Sequence, residues 1–174
     1  LLYFQLNKEQ IYYYNTTKMY GKTQKFFVYG TLRSSIKAEY SSIVHKNTKF
    51  KLSMSPAKLF GVKLYDMLNY GYPTIRITNN ENDFIYGEIA TPDNFDECLQ
   101  VFDKIEEYPT EYDRVVLSKC LDLKENVYYD VWVYIENKIQ ELNNSFEIES
   151  NSYKHIKENC YVSYKDGFNY KNDH

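Results

Sequence analysis

Apolar and polar positions trade places in short runs along most of this chain, and the runs break at glycine, proline and asparagine. Residues 25–29, Lys-Phe-Phe-Val-Tyr, are dense in aromatic and β-branched side chains and lead into Gly30, which predicts a strand ending in a tight loop. Residues 33–47 are polar with scattered Ile36, Tyr40, Ile43 and Val44, a pattern that suits a loop with a short helix. Strand-like runs follow at 57–68, 74–78 and 84–90. They are separated by Asn69-Tyr70-Gly71-Tyr72-Pro73 and by Asn79-Asn80-Glu81-Asn82-Asp83, and the second separator predicts a hairpin. Thr91-Pro92 is a helix-start signal, an N-cap followed by proline at the first helical position, with Asp93 suited to the positive helix end. That helix is expected to run to about Glu106. Strands are predicted at about 112–122 and 127–136, split by the polar Lys124-Glu125-Asn126, and a last short helix near 152–159.

One helix set into a series of mostly hairpin-connected strands predicts an α+β domain whose sheet curls toward a barrel. Residues 25–160 read as one domain, with 1–24 as an extension and 161–174 as a polar tail. Leu2-Tyr3-Phe4-Gln5 resembles the end of an engineered protease-recognition site, so the start is excluded from fold reasoning. At 174 residues the chain is long enough for a single hydrophobic core.

Composition narrows the function classes. A net charge of −3, from 21 basic and 24 acidic residues, supplies no large positive field for a phosphate backbone, so nucleic acid is not an expected partner. No run approaches the roughly 18 apolar residues of a membrane helix, and no secretory leader pattern stands out, so a soluble, cytosolic protein is expected. Cys98, Cys120 and Cys160 lack metal-knuckle spacing and read as buried thiols. His45, His155 and His174 belong to no nucleophile or metal motif and read as surface or packing residues. Phosphate-cradling glycine motifs are absent as well, so neither a metal nor a nucleotide cofactor is expected. Many of the 20 tyrosines alternate with apolar residues as on half-buried strands.

The helix ending near Glu106 carries the most chemistry. With Phe95 set at 0° on a helical wheel, Cys98, Leu99 and Phe102 fall at about 300°, 40° and 340°, one apolar stripe, and Glu106 falls on it at about 20°. Glu107, at about 120°, turns toward the edge of that face. A carboxylate aimed into a core needs hydrogen bonds, an ion partner or a function, and desolvation there raises its pKa toward neutrality. Three readings stay open: Glu106 works as an acid/base, the helix ends a turn before it, or it pairs with Arg114 and holds a loop. Tyr29-Gly30-Thr31-Leu32 also has two readings, a simple turn or a nest of backbone N–H groups that receives a carboxylate or oxyanion. Pro73 is either a stiff turn or part of a substrate wall.

These pieces stand together in an order that resembles the γ-glutamylcyclotransferase-like family, which includes γ-glutamylamine cyclotransferases and the plant avirulence-induced proteins. Phe27-Val28-Tyr29-Gly30-Thr31-Leu32 resembles the family's strand and glycine loop, Tyr72-Pro73 its mid-chain turn, and Tyr86-Gly87-Glu88-Ile89 its Gly-Glu strand. Phe102-Asp103-Lys104-Ile105-Glu106-Glu107-Tyr108 and Tyr112-Asp113-Arg114 resemble the helix end with its catalytic glutamate and the Tyr-x-Arg strand, and Val131-Trp132-Val133-Tyr134 the closing strand. The similarity spans about residues 25–155. It implies a small mixed barrel with flanking helices and a cavity between the glycine loop and the helix end. It further implies cofactor-free cyclisation of a small γ-glutamyl substrate to 5-oxoproline. In that chemistry Glu106 is the catalytic residue, and Tyr29, Gly30, Thr31, Leu32, Tyr72, Tyr112 and Tyr134 are candidates to bind substrate. Two rivals accompany this reading: a protein of the same fold that binds without turnover, and a tyrosine-rich interaction module with an exposed aromatic patch.

Overall fold

Alternation along the first strand, β1 (Phe26–Val28), divides the molecule into two packed layers. Phe26 and Val28 point one way, into a cluster with Cys98, Phe102, Val116, Trp132 and Tyr134. Phe27 and Tyr29 point the other way, into a larger cluster with Leu59, Leu64, Ile75, Ile89, Val133 and Ile156. The structure is a computed structural model that describes residues 23–30, 32–33, 49–78, 80–140, 142 and 152–166. The short helix expected within 33–47 therefore lies outside the described residues but for Arg33.

The further elements are β2 (Leu52–Phe60), β3 (Val62–Met67), β4 (Tyr72–Ile77), β5 (Phe84–Pro92), α1 (Phe95–Ile105), β6 (Tyr112–Asp122), β7 (Val127–Glu136), β8 (Tyr153–His155) and α2 (Tyr161–Asp166). Five strands close a barrel in the order β1-β5-β2-β6-β7, with β1 meeting β7 in parallel at Phe26 and Trp132. The other three strands among the described residues form a small sheet, β4-β3-β8. The expected α+β barrel is the observed fold. Gly87 permits the barrel's tight waist, since a Cβ there would stand 2.4 Å from the Phe27 ring and 2.5 Å from the Val28 carbonyl oxygen.

Local departures from the sequence reading have identifiable causes. The run predicted as one strand over 57–68 is two strands in different sheets, because Gly61 takes φ 78° and turns the chain between them. The hairpin expected at 79–83 is not formed by the strands that flank it: β4 pairs with β3, whereas β5 pairs with β1 and β2 in the other sheet. The Thr91-Pro92 start signal is also overridden. β5 continues to Pro92, paired with Leu52, where a proline at a strand end removes little from the ladder. Asn94 is the N-cap instead: its side-chain oxygen accepts the Glu97 N–H at 3.3 Å, and its amide donates to the Glu97 carboxylate at 3.2 Å. Asp93 accepts the Lys51 N–H at 2.8 Å and ties the helix entry to the segment before β2.

The helix expected near 152–159 is replaced by β8, whose backbone pairs with β3 at Tyr65, Asp66 and Met67. Residues 161–166, grouped by composition with a polar tail, form α2, and Tyr161 is buried in the larger core. Its hydroxyl donates to the Gly71 carbonyl at 2.5 Å, joining α2 to the β3–β4 turn. All three cysteines are buried thiols, and burial pushes the Cys98 thiol up to about 12. His155 packs its ring 5.3 Å from Tyr65, while His45 and His174 lie outside the described residues. Among the described residues no helix is long and apolar enough to cross a membrane.

Candidate active site

The end of α1 is built to separate two adjacent glutamates. Glu106 is the C-cap, with φ −85° and ψ 4°, and Glu107 follows in the left-handed region at φ 51°. The Tyr108 N–H donates back to the Asp103 carbonyl at 2.9 Å, the outer hydrogen bond of a Schellman closure. Left-handed backbone at a non-glycine residue costs about 1–2 kcal/mol, so neighbouring contacts hold this turn in place. Reversing the chain so sharply leaves Glu107 exposed at the rim of a cavity and turns the half-buried Glu106 into its wall.

The cavity has a volume of about 480 Å³, within the usual range for small-molecule sites. Tyr29, Gly30 and Leu32 line it from the loop after β1, Tyr72 and Pro73 from β4, Tyr112 from β6 and Tyr134 from β7. Glu106, Pro73 and six of the seven candidate substrate-binding residues thus share one concave space; the seventh, Thr31, lies outside the described residues. Sequence reasoning missed Met67, Tyr70, Ile105 and Glu111, which also line it. Tyr70 sits in the turn between β3 and β4, where its residue type signals only a turn, and it is 61% exposed at the mouth.

Gly30 is explained by contact rather than by backbone angle. A Cβ at this position would stand 2.6 Å from Pro73 Cγ, so glycine lets the loop close against β4. Behind the loop, the Arg33 N–H donates to the Gly30 carbonyl at 3.1 Å. The Arg33 side chain is fully buried, its Nε 3.6 Å from Glu88 Oε2 and its Nη1 3.2 Å from Cys160 Sγ. This inward anchor ties the glycine loop to β5 and to the residue before α2.

Electrostatics differ among the lining groups. Burial pushes the Glu106 carboxyl up to about 7, because protein atoms surround a charge that would otherwise be hydrated. Burial likewise raises the Tyr29 hydroxyl well above its ordinary range, with further increments from Tyr112 and Glu106. Tyr112 is raised by burial and then by the charges of Glu106 and Glu136. Both phenols therefore remain protonated donors at neutral pH. Tyr29 donates to the Tyr134 carbonyl at 2.7 Å, whereas Tyr112 reaches the Pro73 carbonyl only at 3.3 Å and Met67 Sδ at 3.4 Å. Tyr134 donates to Asp103 Oδ1 at 2.6 Å.

Arg114 does not pair with Glu106, the alternative left open by the sequence. Its Nη1 donates to both oxygens of Asp103, at 2.7 and 2.6 Å, one helical turn earlier. Glu136, buried at the end of β7, accepts the Ile139 N–H at 2.9 Å and the Tyr153 hydroxyl at 2.8 Å. Sequence reasoning passed over this second carboxylate near the cavity, because a glutamate ending a strand looks like the beginning of a loop. Among the described residues no group of three or more His, Cys, Asp or Glu side chains is placed to hold a metal ion.

Such a site, a carboxylate near neutrality that shares one cavity with a glycine loop and protonated tyrosines, is equipped to move a proton on a small bound molecule. Similar folds occur in solved structures. An AIG2-like protein from Mus musculus aligns with TM-score 0.54 and 17% identity over 77% of this chain and 88% of its own. A γ-glutamyl cyclotransferase aligns with TM-score 0.52 and 15% identity over 84% and 82%. A protein from Arabidopsis thaliana aligns with TM-score 0.51 and 21% identity over 71% and 70%. At these identities the likeness establishes the fold. Comparison with curated protein sequences finds no match. The family model described as "Gamma-glutamyl cyclotransferase, AIG2-like" matches residues 26–155, from β1 through β8, and the chain belongs to that family.

Proposed function

We propose that the protein converts a γ-glutamyl amine or γ-glutamyl amino acid to 5-oxoproline, releasing the amine, with Glu106 as the general acid/base. The observation that carries this reading is the place of Glu106 in the wall of the cavity that Gly30 and Leu32 also line, where burial pushes its carboxyl up to about 7. A base with that pKa is about half ionised at neutral pH, the condition under which one group can both accept and return a proton efficiently.

In the proposed reaction the substrate's α-amino nitrogen attacks its own γ-carbonyl carbon. Glu106 accepts a proton from that nitrogen as the new C–N bond closes the five-membered ring, and returns a proton to the departing nitrogen as the original amide C–N bond breaks. The products are 5-oxoproline and the free amine, and the exchange consumes no water and no redox equivalent. Nucleophile and electrophile belong to one molecule, so the cavity's main contribution is to hold the folded conformer, and such positioning can supply several kcal/mol of the barrier. The loop around Gly30 and Leu32 and the protonated Tyr112 hydroxyl are suited to orient the glutamyl group and to donate to the carbonyl oxygen as charge develops.

The direct test is 5-oxoproline release from three substrates that differ in the leaving amine: a γ-glutamyl amino acid, γ-glutamyl-ε-lysine and glutathione. Turnover of at least one supports the reading and names the amine. Binding of all three without release of 5-oxoproline would favour a protein that keeps the pocket without the reaction.

A further inference from the structure

Glu106 sits at a turn that nothing in its own two residues favours: a C-cap at φ −85°, ψ 4°, then a left-handed glutamate. Arg114, on the neighbouring strand β6, reaches both flanks of this turn. Three residues before Glu106, its Nη1 holds the two Asp103 oxygens at 2.7 and 2.6 Å. Two residues after Glu106, its guanidinium carbon lies 4.3 Å from the centre of the Tyr108 ring, with the Trp132 ring behind it at 5.7 Å. We infer that Arg114 is a positioning residue, a clamp whose grip on Asp103 and Tyr108 fixes the turn that aims Glu106 into the cavity.

The placement of Asp103 supports this. An aspartate in the last turn of a helix meets the negative end of the helix dipole, an unfavourable position unless something compensates. Here two partners do, Arg114 and the Tyr134 hydroxyl at 2.6 Å, so one carboxylate joins α1 to β6 and to β7. Tyr134 also lines the cavity, and the clamp thereby orders a second wall residue. Arg114 directs its charge to Asp103, so its hold on Glu106 runs through the backbone of the turn. The titratable groups that share the cavity with Glu106 are Tyr29 from the loop after β1, Tyr112 from β6, Tyr134 from β7, and Glu107, Glu111, Tyr70 and Tyr72; Glu136 at the end of β7 acts on Tyr29 and Tyr112. Arginine suits the role better than lysine, since a planar guanidinium can stack on a ring while donating in its own plane.

The inference rests on the acid/base reading of Glu106 only for its activity arm, so the test has a second arm independent of turnover. Glutamate carboxyl carbons are labelled with ¹³C, the Glu106 resonance is assigned by its loss in Glu106→Gln, and its titration is followed in the wild type, Arg114→Lys, Arg114→Met and Asp103→Asn. With the turn released, Glu106 reaches water and its midpoint falls from about 7 toward the ordinary 4.5, furthest in Arg114→Met. In parallel kcat drops on the order of 10- to 100-fold while KM changes little, and Arg114→Lys recovers part of the loss. If Arg114→Met does not fold, the milder Arg114→Lys and Asp103→Asn decide the matter by the same titration. A Glu106 midpoint that stays near 7 in every folded variant overturns the clamp, even if activity falls. Shifted midpoints in a protein that releases no 5-oxoproline would uphold the clamp and sink the cyclotransferase reading.

Discussion

Two carboxylates at the ends of secondary-structure elements, Asp122 and Glu106, have opposite electrostatic fates. Asp122 closes β6 at the β6–β7 turn, where Oδ1 accepts the Lys124 N–H at 2.8 Å, the Glu125 N–H at 3.0 Å and the Ser55 hydroxyl at 2.9 Å. Burial pushes its pKa up, but these hydrogen bonds outweigh burial and hold it below the ordinary value. Glu106 closes α1 in a comparable position, yet among the described residues no hydrogen bond to its carboxylate offsets burial, and its pKa rises to about 7. Local donors turn a buried carboxylate into a turn-former; their absence, beside a cavity, leaves one that can exchange a proton. The contrast also separates Glu106 from Glu136, whose carboxylate is occupied by Ile139 and Tyr153.

The comparison is sharpened most by exchanging oxygen for nitrogen. Glu106→Gln keeps shape and removes proton transfer, so kcat is expected to fall about 10²–10⁴-fold with KM little changed. Glu107→Gln, at the exposed rim, is expected to change kcat less than about threefold, a surface-like effect; the reverse pattern in the same steady-state assay would assign the chemistry to the wrong glutamate. Gly30→Ala comes next. Its Cβ meets Pro73 Cγ at 2.6 Å, so the loop must move off β4, and kcat/KM is expected to drop roughly 10- to 100-fold in a folded protein. Retention of full activity would mean that the close approach has no part in binding.

Stability distinguishes the two carboxylates by sign. Removing the acceptor in Asp122→Ala strands three donors and is expected to destabilise by about 1–3 kcal/mol in urea unfolding at pH 7, with kcat unchanged. The lowered Asp122 pKa supplies stability that is present above its unfolded value and lost as pH falls through the folded one. Glu106 works the other way. Its raised pKa means that the native state holds the proton more tightly than the unfolded chain, so stability declines as pH rises from about 4.5 to about 7. Glu106→Gln is therefore expected to match the wild type near pH 4 and exceed it at pH 8, by at most on the order of 3 kcal/mol. A variant less stable than wild type at pH 8 would mark Glu106 as a structural carboxylate after all.

What could be read from the sequence followed the range of the interactions involved. Strands β6 and β7 were legible because their alternation and the polar turn between them are local, and the apolar stripe of α1 already pointed Glu106 to the buried side. The start of α1 was not, since Thr91-Pro92 and Asn94 with Glu97 are both valid local start signals and the pairing of Leu52 with Pro92 chooses between them. β8 was missed for the same reason: three residues become a strand only because β3 presents an edge to them. The partner of Arg114 was not legible, since the pairing with Asp103 rather than Glu106 is set by how the end of α1 packs against β6. Tyr70 and Glu111 join the cavity through long-range folding that no local pattern records.

The pH dependence of 5-oxoproline release, in the wild type and in Glu106→Gln, tests the central claim most directly. With Glu106 as the base, kcat for the wild type rises from acid pH and levels off with a midpoint near 7, and the same limb is absent from whatever slow rate Glu106→Gln retains. A wild-type rate that is flat between pH 5 and pH 8, or a Glu106→Gln variant that keeps both the rate and the limb, would contradict the assignment of proton transfer to Glu106.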